Sequence, residues 1–116
     1  IFTHSDCDSN QDHTKVYNST IIATRPPAGV QRVYCYEVLS STEWGFTKAF
    51  LANSFIPLTE KNVLDKWEAL SQYKSEINNF PHPRSKDGII TLAKYRGLQS
   101  GSHFAEGFKL VRDFSL

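Results

Sequence analysis

The sequence predicts an α+β protein in which an N-terminal β-hairpin precedes one long α-helix packed on an antiparallel β-sheet. Three observations predict it. An apolar stripe with helical spacing runs through residues 59–79. A run rich in β-branched residues at 15–24 faces an alternating run at 30–39 across a proline-glycine turn. Two further apolar runs, 89–96 and 108–114, follow the helix. At 116 residues the chain is expected to form one domain, 1–116, burying roughly two-thirds of its unfolded surface.

Residues 1–14 are acidic and polar, with Asp6, Asp8 and Asp12 and no lysine or arginine. Asp6, Asp8, Asn10 and Asp12 match the first four ligand positions of a calcium loop. Gln11 stands where that loop needs glycine for its sharp turn, and Tyr17 where the bidentate glutamate belongs, so calcium binding is not expected. His4 and His13 have no third ligand at a metal-binding spacing and read as solvated surface residues. No metal or cofactor is expected.

Residues 15–24, KVYNSTIIAT, read as a strand, and Arg25-Pro26-Pro27-Ala28-Gly29 as a turn. Residues 30–39 read as the return strand of a hairpin. Val30, Arg32, Tyr34, Tyr36 and Val38 lie on one face; Val33, Cys35 and Glu37 lie on the other. Tyr34 and Tyr36 beside Arg32 could stack bases and hold a phosphate, but tyrosines covering a neighbouring helix are the commoner arrangement. Residues 40–56 fit either a further strand or a short helix, with Trp44, Phe46, Phe50 and Phe55 expected in the core.

The main helix opens on Thr59 as N-cap, with Glu60 and Asp65 placing negative charge near the positive end of the dipole. Val63, Trp67, Leu70 and Ile77 form its apolar stripe, widened by Leu64 and Tyr73, and Asn78-Asn79 end it. Burial of that stripe against the sheet implies a cost of about 3–5 kcal/mol for Trp67→Ala. Phe80-Pro81-His82-Pro83 forces an extended exit, because a residue before proline is pushed out of the helical region. After a loop at 84–88, residues 89–96 read as a strand, 97–107 as a glycine-spaced loop carrying His103, and 108–114 as the last strand.

The net charge of +1 gives no general attraction to nucleic acid or membrane, and no apolar run reaches the roughly 20 residues of a membrane span. Between Arg84 and Arg112 six basic residues (Arg84, Lys86, Lys94, Arg96, Lys109, Arg112) stand against Asp87 and Glu106. They suit either a phosphate-binding surface or strand edges protected against pairing. The chain begins at Ile1 and holds no methionine, as a processed protein or a trimmed chain would. Asn18-Ser19-Thr20 is a candidate glycosylation site. Two cysteines are too few for a disulfide scaffold. Cys7 and Cys35 are expected to form one bridge, worth roughly 3 kcal/mol in the chain-entropy model, the alternative being two free thiols.

Phe80-Pro81-His82 after a helix and before antiparallel strands resembles the small guanyl-specific fungal ribonucleases, where a Tyr-Pro-His segment leads into the catalytic sheet. The resemblance implies a microbial ribonuclease-like fold, with His82 in place of a proton-transfer histidine. Residues 93–101 resemble the strand bearing that family's catalytic glutamate, but Lys94 falls near its position. The stretch 108–111 resembles the strand bearing its phosphate-binding arginine, with Lys109 instead. No second histidine follows on a later strand. RNA cleavage by this route needs a positioned base and acid, so the resemblance implies the fold without the catalysis, with His82 a vestige.

Asp6-Cys7-Asp8 and the Ile56-Pro57 to Val63 opening of the helix are similar to the RNase-like secreted effectors of powdery mildew fungi. That resemblance implies a monomeric protein secreted by a fungus and acting inside a plant cell. There it would bind a host protein, suppress immunity, and be open to recognition by an intracellular immune receptor as an avirulence protein. Weak host RNA binding is the lesser expectation, and no membrane partner is expected. The residues expected to meet RNA or a partner are Tyr34, Tyr36, Lys94, Arg96, Lys109 and Arg112. The competing function is an active secreted ribonuclease cleaving single-stranded RNA with His82 and His103.

Overall fold

A computed structural model describes residues 1–114. The elements are β1 (Phe2–Thr3), α1 (Gln11–Ala23), β2 (Arg32–Tyr36), β3 (Ser54–Leu58), α2 (Glu60–Ser71), α3 (Lys86–Ser100) and β4 (Phe104–Asp113), with a short 3-10 turn at Pro26–Ala28. The fold is mixed α+β, with three α-helices among the described residues and a four-stranded sheet in the order β1-β2-β4-β3. The chain divides into two compact units: Ile1–Ser54 with the stretch from Gly107 onward, and Phe55–Glu106.

In the first unit the expected strand at 15–24 is instead the body of α1, so there is no N-terminal hairpin. The helix wins because its start is capped: the Asn10 side chain accepts from the backbone N–H groups of Asp12 at 2.9 Å and His13 at 3.4 Å, and Asp12 adds negative charge to the first turn. His13, Tyr17, Thr20, Ile21 and Thr24 recur at helical spacing and are withdrawn from solvent, while Val16 and Ile22 are exposed. The inward face carries hydroxyls as well as apolar groups. The Thr20 hydroxyl donates to Val16 O at 2.8 Å and meets the Thr3 hydroxyl at 3.0 Å, tying α1 to β1.

β2 keeps the alternation that its sequence predicts. Val33 and Cys35 are 0% exposed, whereas Tyr34 and Tyr36 on the other face are half-buried. Its neighbours are not a hairpin partner but β1, parallel, and β4, antiparallel. Phe2 pairs with Tyr34 and Thr3 with Cys35; Lys109 lies opposite Cys35, Phe108 opposite Tyr36 and Leu110 opposite Tyr34. One extra residue on β4 between the partners of Val33 and Tyr34 makes a bulge. Beyond Ser54's neighbour, the Asn53 side chain accepts from Leu110 N at 2.7 Å while its own backbone N–H donates to Phe108 O at 2.9 Å, extending the pairing on that side of β4.

Residues 39–48 form turns, neither a strand nor a helix. Ser40, Ser41 and Thr42 are buried there, while Phe46, expected in the core, is 88% exposed. Trp44 is also exposed, and Phe50 and Phe55 are half-buried. Gly45 passes so close to the Cys7 carbonyl that any Cβ would strike it. Cys7 and Cys35 are both buried free thiols, so the expected bridge does not form. The Cys7 thiol is turned to the Ala49 carbonyl oxygen at 3.2 Å, and burial, with the nearby Asp6 carboxylate, pushes the Cys35 thiol up to about 11.

The second unit begins with the capping box that opens α2. Asn62 N donates to the Thr59 hydroxyl at 3.2 Å and Thr59 N to the Asn62 side chain at 2.9 Å. The expected helix to Asn78 stops at Ser71. Ser71 Oγ and the Gln72 side chain both turn back onto Glu68 O, competing with the helical ladder. Beyond it, Glu76 pairs with Arg84 and Asn78 N donates to Arg84 O at 3.1 Å, closing a loop in place of another helical turn. Val63 is 2% exposed, Trp67, Leu70 and Ile77 are half-buried, and Leu64 and Tyr73 are exposed. The expected long helix is therefore a shorter one, and a further helix follows it where a strand was expected.

That further helix, α3, occupies the expected strand at 89–96 and the first part of the expected loop. Ser85 caps it by accepting from Gly88 N at 2.9 Å, Asp87 sits in the first turn, and Ile89, Ala93, Arg96 and Gly97 form its buried stripe. Gly101 ends it with φ 73°, a left-handed position that glycine adopts without a Cβ penalty. Gly97 is required because a Cβ there would lie 2.5 Å from Ser102 O, where the chain turns back into β4.

Two measurements check this account. Protein unfolded without reductant should take up two alkyl groups, and native protein should react far more slowly at both sites. Val63→Ala should cost about 2 kcal/mol in urea unfolding, as a buried side chain with little room to collapse.

Candidate functional site

The first unit gathers aromatic side chains on one face of its strands. Phe2, Tyr34, Tyr36 and Phe108 share that face by register, opposite the face on which Thr3 meets α1. The Phe2 and Tyr34 rings stack with centroids 5.1 Å apart and planes at 17°, and Phe108 meets Phe2 edge-on at 5.3 Å. Phe2 is 56% exposed, so the cluster opens to solvent.

His4, following β1, continues the face. Its ring lies 5.0 Å from that of Tyr36, and its Nε2 is 3.4 Å from the Tyr36 hydroxyl. On its other side it stacks on His13 of α1, centroids 3.8 Å apart and planes at 6°. His13 in turn donates from Nδ1 to Asp8 Oδ2 at 3.1 Å. Asp8 has 0% side-chain exposure and also receives Asn10 N at 2.8 Å, the Ser41 hydroxyl at 3.0 Å and the Thr42 hydroxyl at 2.9 Å. Burial pushes the Asp8 carboxyl up, but the Asn10 N–H, His13 and the two hydroxyls together outweigh it and hold the group below the usual carboxylate range. Burial lowers the His4 imidazole, repulsion from His13 lowers it further, and Asp8 offsets only part of this.

An Asp-His-Ser set suggests a nucleophile, but the geometry does not make one. Ser41 Oγ donates to Asp8 and approaches His13 at the same Nδ1 that Asp8 occupies, at 3.5 Å. A triad needs the imidazole between the acid and the hydroxyl, one nitrogen for each. Here the carboxylate binds both, and the cluster clips loops together. Ser9 N and Ser9 Oγ, on Ser41 O at 3.1 and 2.8 Å, fasten the same two segments.

The sequence-predicted residues scatter. Tyr34 and Tyr36 lie on the aromatic face, and Tyr34 already has a ring against it. Lys109 sits opposite Cys35 on the other face, near Asp6. Arg112 lies with its guanidinium 5.1 Å from the Phe114 ring. Lys94 and Arg96 belong to the second unit, on α3; Lys94 is exposed, while Arg96 is buried and donates to Gln99 at 2.7 Å. His82, half-buried, accepts the Arg84 backbone N–H on Nδ1 at 3.1 Å, and His103 is exposed just after α3. Asn18 is exposed on α1. His4 and His13 are not solvated surface residues but a stacked pair. Sequence reasoning missed them because their partners Tyr36 and Ser41 are distant in the chain.

Asp8→Ala should cost about 3 kcal/mol, since it strands buried hydroxyls and a backbone N–H, while the exposed Asp12→Ala should stay within about 1 kcal/mol. Because the folded carboxyl lies below its unfolded value, its contribution should be complete above the ordinary carboxylate range. It should be lost as pH falls through the lowered value, which urea unfolding of wild type and variant across pH will show.

Protein-family models, curated proteins and solved structures offer no match to this chain, so its own side chains carry the functional reading.

Proposed function

We propose that this protein is a non-catalytic binding protein that docks a host protein on the aromatic face of Phe2, Tyr34, Tyr36 and Phe108. The wider reading is a secreted fungal effector acting inside a plant cell, where it suppresses immunity and is open to detection by an intracellular receptor. The effector part is supported by the short motifs at Asp6-Cys7-Asp8 and Ile56-Pro57 to Val63. The docking part is supported by one observation, an aromatic cluster left open to solvent around Phe2. Tyrosine and phenylalanine supply large contact area with few rotatable bonds, and they concentrate at the centres of protein interfaces.

A protein partner fits this face better than RNA. Single-stranded nucleic acid needs cations beside the stacking rings. Of the basic residues nominated for phosphate, Lys109 lies on the opposite face, Lys94 and Arg96 belong to the other unit, and Arg96 is buried. Arg32, which shares the tyrosines' side of β2, is paired with Asp113 at 3.5 Å.

Three observations weigh against the ribonuclease alternative. His82 spends Nδ1 on the Arg84 backbone. Residues 93–100 are helical, so Lys94 is not on the strand that the resemblance requires. His103 stands exposed in a turn with no carboxylate bonded to it among the described residues.

Capture from plant extract should survive nuclease treatment and fall at least about tenfold with Phe2→Ala, a change at an exposed ring, but not with Phe46→Ala. The protein should leave guanosine-containing dinucleotides intact. Nuclease-sensitive capture, or cleavage abolished by His82→Ala, would replace this reading with an RNA-directed one.

A further inference from the structure

We propose that the His4–His13 stack is a pH-operated latch on β1, closed while the His4 ring is neutral and released when it gains a proton. β1 is only Phe2–Thr3, too short for its backbone pairing to hold it alone. It is seated by Tyr34 N donating to Ile1 O at 2.9 Å, the terminal amine donating to Arg32 O at 2.9 Å, the Thr3–Thr20 hydroxyl contact and the Phe2–Tyr34 stack. His4 comes directly after it, and the parallel stack on His13 fixes where the chain leaves the strand.

The surroundings of His4 suit a neutral ring. Nε2 faces the Tyr36 hydroxyl, and Nδ1 is buried with no hydrogen-bond partner among the described residues. With the neutral ring carrying its proton on Nε2 toward the Tyr36 hydroxyl, full protonation puts an N–H at Nδ1, where nothing accepts it, and a positive charge against the face of His13. The facing groups come from three elements: His13 on α1, Tyr36 on β2, and Asp8 between β1 and α1, with Ser41 reaching His13 from the following loop. The Glu43 carboxyl, in that loop, is pushed up by its burial and, in smaller part, by Asp8. Asp8 attracts the proton, but it is bonded to His13, and burial with His13 repulsion outweighs it at His4. Asp8 itself stays ionised throughout the imidazole range, so His13 remains anchored while His4 is driven off.

The sign follows. A base whose folded pKa lies below its unfolded value lends full stability above the unfolded value of 6.5, lost as pH falls through the folded one. Acid therefore frees β1, exposes the edge of β2 and removes Phe2 from the aromatic cluster. This last consequence rests on the docking role proposed for that face.

The test is amide hydrogen exchange by NMR at about pH 7.5 and about pH 5, each corrected for the intrinsic exchange rate. Protection of the Tyr34 amide should fall by about tenfold or more in acid as β1 opens locally, while the Ile89 amide in α3 holds. His4→Phe keeps a flat ring without a titrating group and should abolish the difference. An unchanged Tyr34 amide in wild type, or the same loss in His4→Phe, overturns the latch. Should that variant fail to fold, the wild-type imidazole titration decides, since a His4 that titrates above 6.5 also overturns it. No partner is present in these measurements, so the latch and the docking role fail or survive separately.

Discussion

Asp8 keeps a negative charge out of contact with water, and four donors from two chain segments hold it there: Asn10 N, His13 Nδ1 and the hydroxyls of Ser41 and Thr42. A buried carboxylate is costly unless its lone pairs are filled, so each donor's backbone is constrained in turn. Asn10, bonded to Asp8 by its backbone, uses its own side chain to cap α1. Thr42, bonded by its hydroxyl, also accepts Val38 N at 2.7 Å and so shapes the exit from β2. The first unit is thus organised around a polar centre with few large apolar side chains, the fully buried ones being Val33 and Cys35.

From that centre the two faces of the strands acquire different roles. The Thr3 side of the strands meets α1 through Thr20, and the Tyr34 face is left to rings that cover one another incompletely. Stacked and edge-on pairs cover part of the aromatic surface and leave the rest open to solvent around Phe2. The histidine stack stands where the two systems meet: His13 belongs to the Asp8 network, and His4 to the aromatic face through Tyr36.

The second unit is held by another means. Its helices are set by their ends, the Thr59–Asn62 box for α2 and Ser85 with Gly101 for α3, while Val63, Ile89 and Ala93 supply a small apolar contact. Glycine at 97 lets the start of β4 fold back against the helix it has just left. His82 sits in the connection between the helices with its ring bonded to backbone, as a group that shapes a loop would be.

By itself the sequence determined the features whose causes are local. Thr59 as a cap, the turn at Pro26–Ala28, the alternation of Val33 and Cys35 against Tyr34 and Tyr36, and the final strand follow from neighbours within a few residues. It misled at 15–24 and 89–96, where β-branched residues suggested strands. The deciding caps, Asn10 and Ser85, stand just outside those runs, and the inward stripes include Thr20, Thr24 and Arg96, which no apolar pattern registers. Only the tertiary structure decided that Asp8 would find Ser41 and Thr42, that His4 would lie on His13, and that the two thiols would stay apart. Those contacts join residues as many as 34 positions apart, and their free energy comes from burial that no local stretch of chain can express.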